Sequence, residues 1–376
     1  MEKTKLKILY TIPNFDTAGS GKALLQLAKG LDASLFEVAI LCLHDRGAYF
    51  ETVKQSGIPI YIADFLPKER PLLSMFQACW KLAQYFKTFQ PDVIHSFHYS
   101  SNYTEPLAAK MAGIPWVFTK KNMSWGGASK NSWRLRSFLA TKIAVQNTDM
   151  QQAFYPSSSK TVLIPRGVSL TAFKPDVPKP EIRTKMTTDA DKRIIICVAN
   201  LVPVKGIEVL IAAFEKIAVA FPQWVVWIIG DDNNAYADQL KQTVVAKQLE
   251  HQILFSGKQL DVKLFLDYAE LFVLPTLNEG RKEGSPVALL EAMANGKVVL
   301  GSNVPGIKDQ LASFPEFLFK AGGEIDLKEK LEKLLLLDAV SLKKMGQQFQ
   351  QHVASHYSLS LEIERHSALY RSISKK

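Results

Sequence analysis

Residues 271–309 read LFVLPTLNEGRKEGSPVALLEAMANGKVVLGSNVPGIKD. The run from Leu271 is short and apolar, as a buried strand is, and a polar loop holding Gly280 and Gly284 follows it. Leu289, Leu290, Ala292 and Met293 then recur at helical spacing, and after Gly296 a second apolar run opens another strand. Ser285 reads as the N-cap of that helix. Pro286 reads as its first residue, because the N–H that proline lacks would be unpaired there anyway. Strand, loop, helix and strand in this order form one unit of a parallel α/β sheet. Free N–H groups at the helix start, with the positive end of its dipole, make a seat for phosphate oxygens. Glu283 lies just before that seat and Glu291 two turns into the helix.

The same rhythm extends in both directions. KILYTI, EVAILCL, IPIYIA, DVIHSF, PWVFT, KIAVQ and TVLIP precede a second series, RIIICVAN, WVVWIIG, QILFSG, LFVLPT and VVLGSN, with helical patterns between them. Continuous hydrophobicity marks strands covered on both faces, and strand–helix alternation implies parallel sheets. FKPDVPKPEIRTKMTTDADKR, residues 173–193, is charged and proline-rich and reads as an interdomain linker. The expected fold is α/β, with two Rossmann-like doubly wound domains, residues 1–174 and 175–356, followed by a terminal segment, 357–376. Ligands of such sheets bind beyond the carboxyl ends of the strands, which places the expected site in a central cleft that both domains face.

A chain of 376 residues with 47% hydrophobic content can give each domain a core. Three cysteines, Cys42, Cys79 and Cys197, are widely spaced, which fits a reducing compartment. The start, MEKTKLKILYTIPNFD, has an apolar run too short for a signal peptide and reads as a first buried strand, and no segment has transmembrane length, so a cytoplasmic location is expected. A net charge of +10 and a pI near 9.2 favour acidic partners. Without an RNA-recognition signature, zinc-finger spacing or basic heptads, nucleic acid is not the expected one. His352 and His356 lie one helical turn apart but lack a third metal ligand.

In its strand–loop–helix setting, the Glu283–Glu291 spacing resembles the E-x7-E signature of retaining GT-B glycosyltransferases, especially glycosyltransferase family 4. The resemblance covers nearly the whole chain and is densest from Ile194 to Asp309. It implies a GT-B fold whose last helix, Tyr357 to Ile373, crosses back to the first domain. It also implies a nucleotide diphosphate sugar, UDP- or GDP-linked, as donor substrate, with no cofactor and no metal. Glu283 would then contact the donor sugar and Glu291 the ribose, with Gly284, Ser285, Pro286 and Val287 around the diphosphate. Lys205, in the loop LVPVKG, would neutralise phosphate. Family members often place an arginine where Asn200 stands, so Lys205, the helix start and either Lys282 or Arg281 must carry more of that task. Gly230 is expected to let its loop approach the nucleotide base. Asp309 either rims the cleft or is a helix N-terminal acid. Asp231-Asp232-Asn233 lacks the spacing and setting of the Asp-x-Asp metal signature of the other main glycosyltransferase fold.

In the first half, TIPNFDTAGSGKALLQLAKGL sets Gly19, Ser20, Gly21 and Lys22 between a strand and a helix. A P-loop would need glycine in place of Asp16 and Ser or Thr in place of Ala23. The segment instead resembles the family's first glycine-rich turn, where Gly19 and Gly21 let backbone amides approach donor and acceptor. PDVIHSFHYSSNY supplies His95 and His98, and related enzymes often carry a histidine here against the reacting sugar. Local register leaves both open, with His98 preferred. TKKNMSWGGASKNSWRLRSF combines Lys120, Lys121, Lys130, Arg134 and Arg136 with Trp125 and Trp133 and holds no acid. It reads either as a peripheral membrane contact through 120–137 or as a solvated loop whose tryptophans pack inward.

The expected activity is transfer of a hexosyl or related group from a nucleotide diphosphate sugar to a glycan or lipid-linked acceptor hydroxyl, in polysaccharide or cell-surface glycan synthesis, at the inner face of the membrane. The expected catalytic set is His98, Glu283 and Lys205. A GT-B-like sugar-nucleotide epimerase and a non-catalytic sugar-nucleotide-binding partner are the alternatives.

Overall fold

Each apolar run quoted above forms a strand in the computed structural model, which describes residues 5–16, 18–125, 129–280 and 284–374. The chain divides into two compact units, one running to Pro165 and resuming at Ser360, the other spanning Arg166–Leu359.

In the first unit the elements alternate as β1 (Leu6–Ile12), α1 (Ala18–Gly30), β2 (Phe36–Cys42), α2 (Phe50–Lys54), β3 (Ile60–Ile62), α3 (Leu72–Phe89), β4 (Val93–Ser96), α4 (Thr104–Ala112), β5 (Trp116–Lys120), α5 (Lys130–Leu139), β6 (Lys142–Val145), α6 (Thr148–Phe154) and β7 (Thr161–Leu163). The strands form one parallel sheet in the order β3-β2-β1-β4-β5-β6-β7. Successive β1 side chains serve opposite faces, as strand geometry requires. Ile8, Tyr10 and Ile12 pack with Leu24, Leu27 and Phe36, whereas Leu9 packs with Phe86, Trp116 and Trp133.

The second unit continues with α7 (Pro180–Lys185), β8 (Arg193–Val198), α8 (Ile207–Glu215), β9 (Trp224–Ile229), α9 (Ala235–Ala246), β10 (Ile253–Phe255), α10 (Lys263–Leu266), β11 (Leu271–Leu274), α11 (Val287–Ala294), β12 (Val298–Ser302), α12 (Ile307–Gln310), β13 (Leu318–Phe319), α13 (Glu324–Leu335) and α14 (Ala339–His356). Its sheet is also parallel, ordered β10-β9-β8-β11-β12-β13. The last helix, α15 (Leu359–Ile373), lies almost wholly in the portion that joins the first unit, where Leu369 and Tyr370 are buried in the core.

The unit boundary falls between Pro165 and Arg166, ahead of the position near 175 that composition indicates. Backbone bonds explain the difference. The Val168 N–H donates to the Tyr357 carbonyl at 2.9 Å, and the Leu359 N–H donates to the Val168 carbonyl at 2.9 Å. The proline-rich segment 173–193 is likewise no free linker, because Phe173, Ile182 and Met186 are buried in the second core. Among the described residues no helix is long and apolar enough to cross a membrane.

Candidate active site

Each sheet changes its direction of winding at one place, between β1 and β4 in the first unit and between β8 and β11 in the second. Loops that leave neighbouring strands in opposite directions open a crevice there, which is where ligands of open α/β sheets bind. The candidate residues sit on those loops.

In the second unit β8 ends at Val198, and the chain passes Asn200 into a single 3-10 turn, Pro203–Lys205. Asn200 is exposed, and its carbonyl accepts the Val202 N–H at 2.9 Å. Lys205 is only 7% exposed. Burial pushes the nearby Cys197 thiol up to about 12, and the Lys205 charge opposes that rise. The loop after β11 is fastened to this turn, since the Leu277 N–H donates to the Val204 carbonyl at 2.8 Å. Glu283, with Arg281 and Lys282, lies outside the described residues.

The chain resumes with Gly284, Ser285 and Pro286, all buried, and α11 begins at Val287. Pro286 occupies the N-cap position with no side-chain capping bond, and the first turn carries no acid. Ser285 is therefore not the cap that the sequence indicates. Its hydroxyl instead accepts the Gln310 side-chain amide at 3.0 Å, and the same amide donates to the Pro286 carbonyl at 3.2 Å. A helix start with no side-chain cap among the described residues can offer its N–H donors to an anion. Glu291 is half-buried in the second turn of α11.

Gly306 braces this start from the other side. Its φ is +84°, and a Cβ there would stand 2.5 Å from the Gly284 carbonyl oxygen, so any other residue would strain the backbone and push on the loop. Asp309 accepts the Gly306 N–H at 3.3 Å, which makes it a helix N-terminal acid. Gly230 closes β9 against the sheet itself. An added Cβ would overlap the Ala199 carbonyl, so the glycine admits a neighbouring strand end.

In the first unit Gly19 and Gly21 belong to the opening turn of α1 and not to a loop. Beside them, the Lys121 ammonium donates to the Ser20 hydroxyl at 3.0 Å and to the Phe97 carbonyl, joining the starts of the segments that follow β1, β4 and β5. The two histidines separate here. His95 is fully buried, with its ring nitrogens 2.6 Å from the Tyr370 hydroxyl and 2.9 Å from the Thr119 hydroxyl, so it has no face left for a substrate. His98 is half-buried, with Nδ1 3.4 Å from the Ser100 hydroxyl. Burial, then the charges of Arg136 and Lys121, hold the His98 pKa down to about 3, so its imidazole stays neutral.

Of the cations and tryptophans across 120–137, Lys130 and Arg134 are exposed while others turn inward. Lys120 and Arg136 are fully buried, as is Trp133, while residues 126–128 lie outside the described residues. The Lys120 ammonium donates to the Tyr99 hydroxyl at 2.8 Å and to the carbonyls of Asn122 at 2.8 Å and Ser124 at 2.6 Å. It also sits 4.0 Å from the Phe154 ring centre and 5.1 Å from that of Trp125. Burial pushes this lysine down to about 7, and the oxygen acceptors and rings favour the charged form against it. Arg136 donates to the Asn102 carbonyl at 2.5 Å and to the His98 carbonyl at 3.1 Å, and it pairs with Glu105 at 4.0 Å. Glu105 also accepts the hydroxyls of Thr11 at 2.5 Å and Ser96 at 2.8 Å. Arg136 thus fixes the backbone of the His98 loop from below. Glu105 and Gln310 carry no sequence signal. Each is a single polar residue in an ordinary helical stretch, and only the fold reveals its partners.

Among the described residues no group of three or more His, Cys, Asp or Glu could hold a metal ion.

Comparison with known proteins agrees with the fold. Residues 17–172 match the model of Glycosyltransferase Family 4, and residues 178–352 match that of Glycosyl transferases group 1. The chain belongs to glycosyltransferase family 4 and has the GT-B fold, two Rossmann-like units with parallel sheets. It is a glycosyl-transferring enzyme. Among its relatives is the Escherichia coli UDP-Gal:alpha-D-GlcNAc-diphosphoundecaprenol alpha-1,3-galactosyltransferase, 24% identical over 321 residues, with 81% of each chain covered. A glycosyltransferase from Rickettsia africae superposes with a TM-score of 0.85 at 18% identity, covering 98% of both chains. HepE from Anabaena, solved in complex with UDP and glucose, superposes with a TM-score of 0.80 at 19% identity, covering 98% of this chain and all of its own.

Proposed function

We propose that the chain transfers a hexosyl or related group, with retention of anomeric configuration, from a nucleotide diphosphate sugar to a hydroxyl of a lipid-linked or growing surface glycan, at the cytoplasmic face of the membrane. One observation carries the reading. The Lys205 turn and the segment leading to α11 leave the two strands at the switch point of the second sheet and are bonded to each other, Leu277 to Val204, at 2.8 Å. The Escherichia coli relative, whose name gives a UDP-sugar donor and a diphosphoundecaprenol-linked acceptor, supports the substrate classes. The UDP seen in HepE supports a nucleotide diphosphate site.

In this reading the diphosphate lies against the uncapped start of α11 and the Lys205 ammonium, with Glu291 on the ribose and Glu283 on the sugar. The bond from the anomeric carbon to the phosphate oxygen breaks with its electron pair staying on phosphate. Fixed N–H donors and a cation placed there stabilise that charge more in the transition state than in the ground state. The acceptor hydroxyl attacks from the face the phosphate leaves and gives its proton to a departing phosphate oxygen. His98, neutral, hydrogen-bonds the reacting sugar. No metal takes part.

The test is incubation with labelled UDP- and GDP-sugars and a polyprenyl-diphosphate-linked sugar. Transfer to the lipid, an unchanged anomeric configuration by NMR, and a rate unaffected by chelator are expected. Lys205→Ala should lower kcat by roughly 10²–10³-fold. An altered free sugar nucleotide would instead mark an epimerase, and binding without turnover a silent partner.

A further inference from the structure

Helix α3 has two apolar faces, and only one of them meets protein. Met75, Cys79, Leu82, Ala83 and Phe86 pack into the first unit. Leu72, Phe76 and Trp80 follow one another at four-residue spacing along a second face, with Leu73 beside them, and are 60%, 50%, 57% and 73% exposed in that order. Four large apolar side chains on one helical stripe form a contiguous patch, unlike the scattered single residues of an ordinary surface.

Its charge setting is one-sided. Over its 18 residues α3 carries no acid, and Lys81 and Lys87 are exposed on it. Beside the helix a groove of about 540 Å³ is lined by Lys68, Arg70, Ser74 and Lys81, with Asp64 the one acid on its walls and Glu69 between Lys68 and Arg70 in the chain. An apolar stripe with a tryptophan, bordered by lysines and arginine, suits the boundary between acyl chains and anionic headgroups. The rings and aliphatic side chains enter the apolar layer while the cations stay among phosphates. A neutral protein partner would give the cations nothing to pair with.

We propose that α3 is a membrane-docking element that lays Leu72, Leu73, Phe76 and Trp80 into an anionic bilayer, with Lys68, Arg70, Lys81 and Lys87 on lipid phosphates. The site is distinct from the loops at the sheet switch points, and the inference does not depend on which glycan is the acceptor.

The full chain is sedimented with phosphatidylcholine vesicles, with and without phosphatidylglycerol. Binding to the anionic vesicles only, weakened by salt, is expected. Phe76→Ser with Trp80→Ser should lower the vesicle partition coefficient by roughly tenfold or more, and Lys81→Glu with Lys87→Glu should do the same in low salt. Hydrolysis or transfer of donor in vesicle-free solution should stay at the wild-type rate in both variants, which also shows that they fold. Absence of wild-type binding to either vesicle would overturn the proposal, as would equal binding by the Phe76/Trp80 variant. So would a wild-type dimer in sedimentation equilibrium that this variant converts to monomer, since a second copy would then be the occupant of the stripe.

Discussion

His95 and His98 leave the same strand end, and burial treats them in the same direction but to different effect. His95 is sealed between Tyr370 and Thr119, whereas His98 is only half-buried as a residue. For His98 the ordinary value of 6.5 falls to about 3 in the fold. Between those values the unfolded chain binds the proton and the folded one does not. Stability is therefore complete above pH 6.5 and is lost as pH falls through that window. Melting temperature should drop on acidification, and less steeply in His98→Asn. The transfer rate should show no limb from His98 at mildly acidic pH, and a limb near 6.5 that disappears in His98→Asn would contradict the buried, neutral imidazole. Gln310 is the counterpart in the second unit, 1% exposed and holding Ser285 and Pro286 at the start of α11. Gln310→Leu should cost about 1–3 kcal/mol of stability by denaturant titration. If Gln310 also positions the donor site, the KM for donor should rise severalfold. An unchanged KM beside lowered stability would reduce it to a packing role.

At the scale of elements, the buried Arg136–Glu105 pair ties α5, α4, β4 and β1 under the His98 loop. Burial lowers the Arg136 pKa to about 10, and Glu105 acts against that fall. Arg136→Met leaves a carboxylate buried without its counter-charge and should cost about 3–5 kcal/mol in equilibrium unfolding. Adding Glu105→Leu should return much of the loss, because the desolvated charge goes with it. These elements also show what sequence makes legible. Buried parallel strands are continuous apolar runs, so β1 to β12 stand out, while β13 has only two residues and does not. The α11 start is legible to within one residue, since Ser-Pro marks the turn but Gln310, distant in sequence, decides what Ser285 binds. Lys120 and Arg136 mislead for a different reason. Composition counts their charges, and only the assembled fold supplies the carbonyls and rings that allow both to be buried. Phe173, Ile182 and Met186 are lost among prolines and charges for want of a periodic pattern, although they fill the second core.

For the whole molecule, the second unit is continuous from Arg166 to Leu359 and has its own core, so this span expressed alone should unfold cooperatively. On the proposed reading it should also bind a nucleoside diphosphate, which at a hundredfold excess over Kd raises its stability by about 2.7 kcal/mol in thermal unfolding. The same cut deprives the first unit of α15, and residues 1–165 alone should fail to give a cooperative transition. Tyr370 is the reason. Its hydroxyl lies 3.1 Å from that of Tyr10 and 2.6 Å from His95, so the far end of the polypeptide completes the polar interior of the near end. A ribosome delivers these partners only after the whole second unit. The segment made first must wait, unfinished and with apolar surface showing, until α15 emerges, and a chain broken off between β7 and α15 yields no intact first unit.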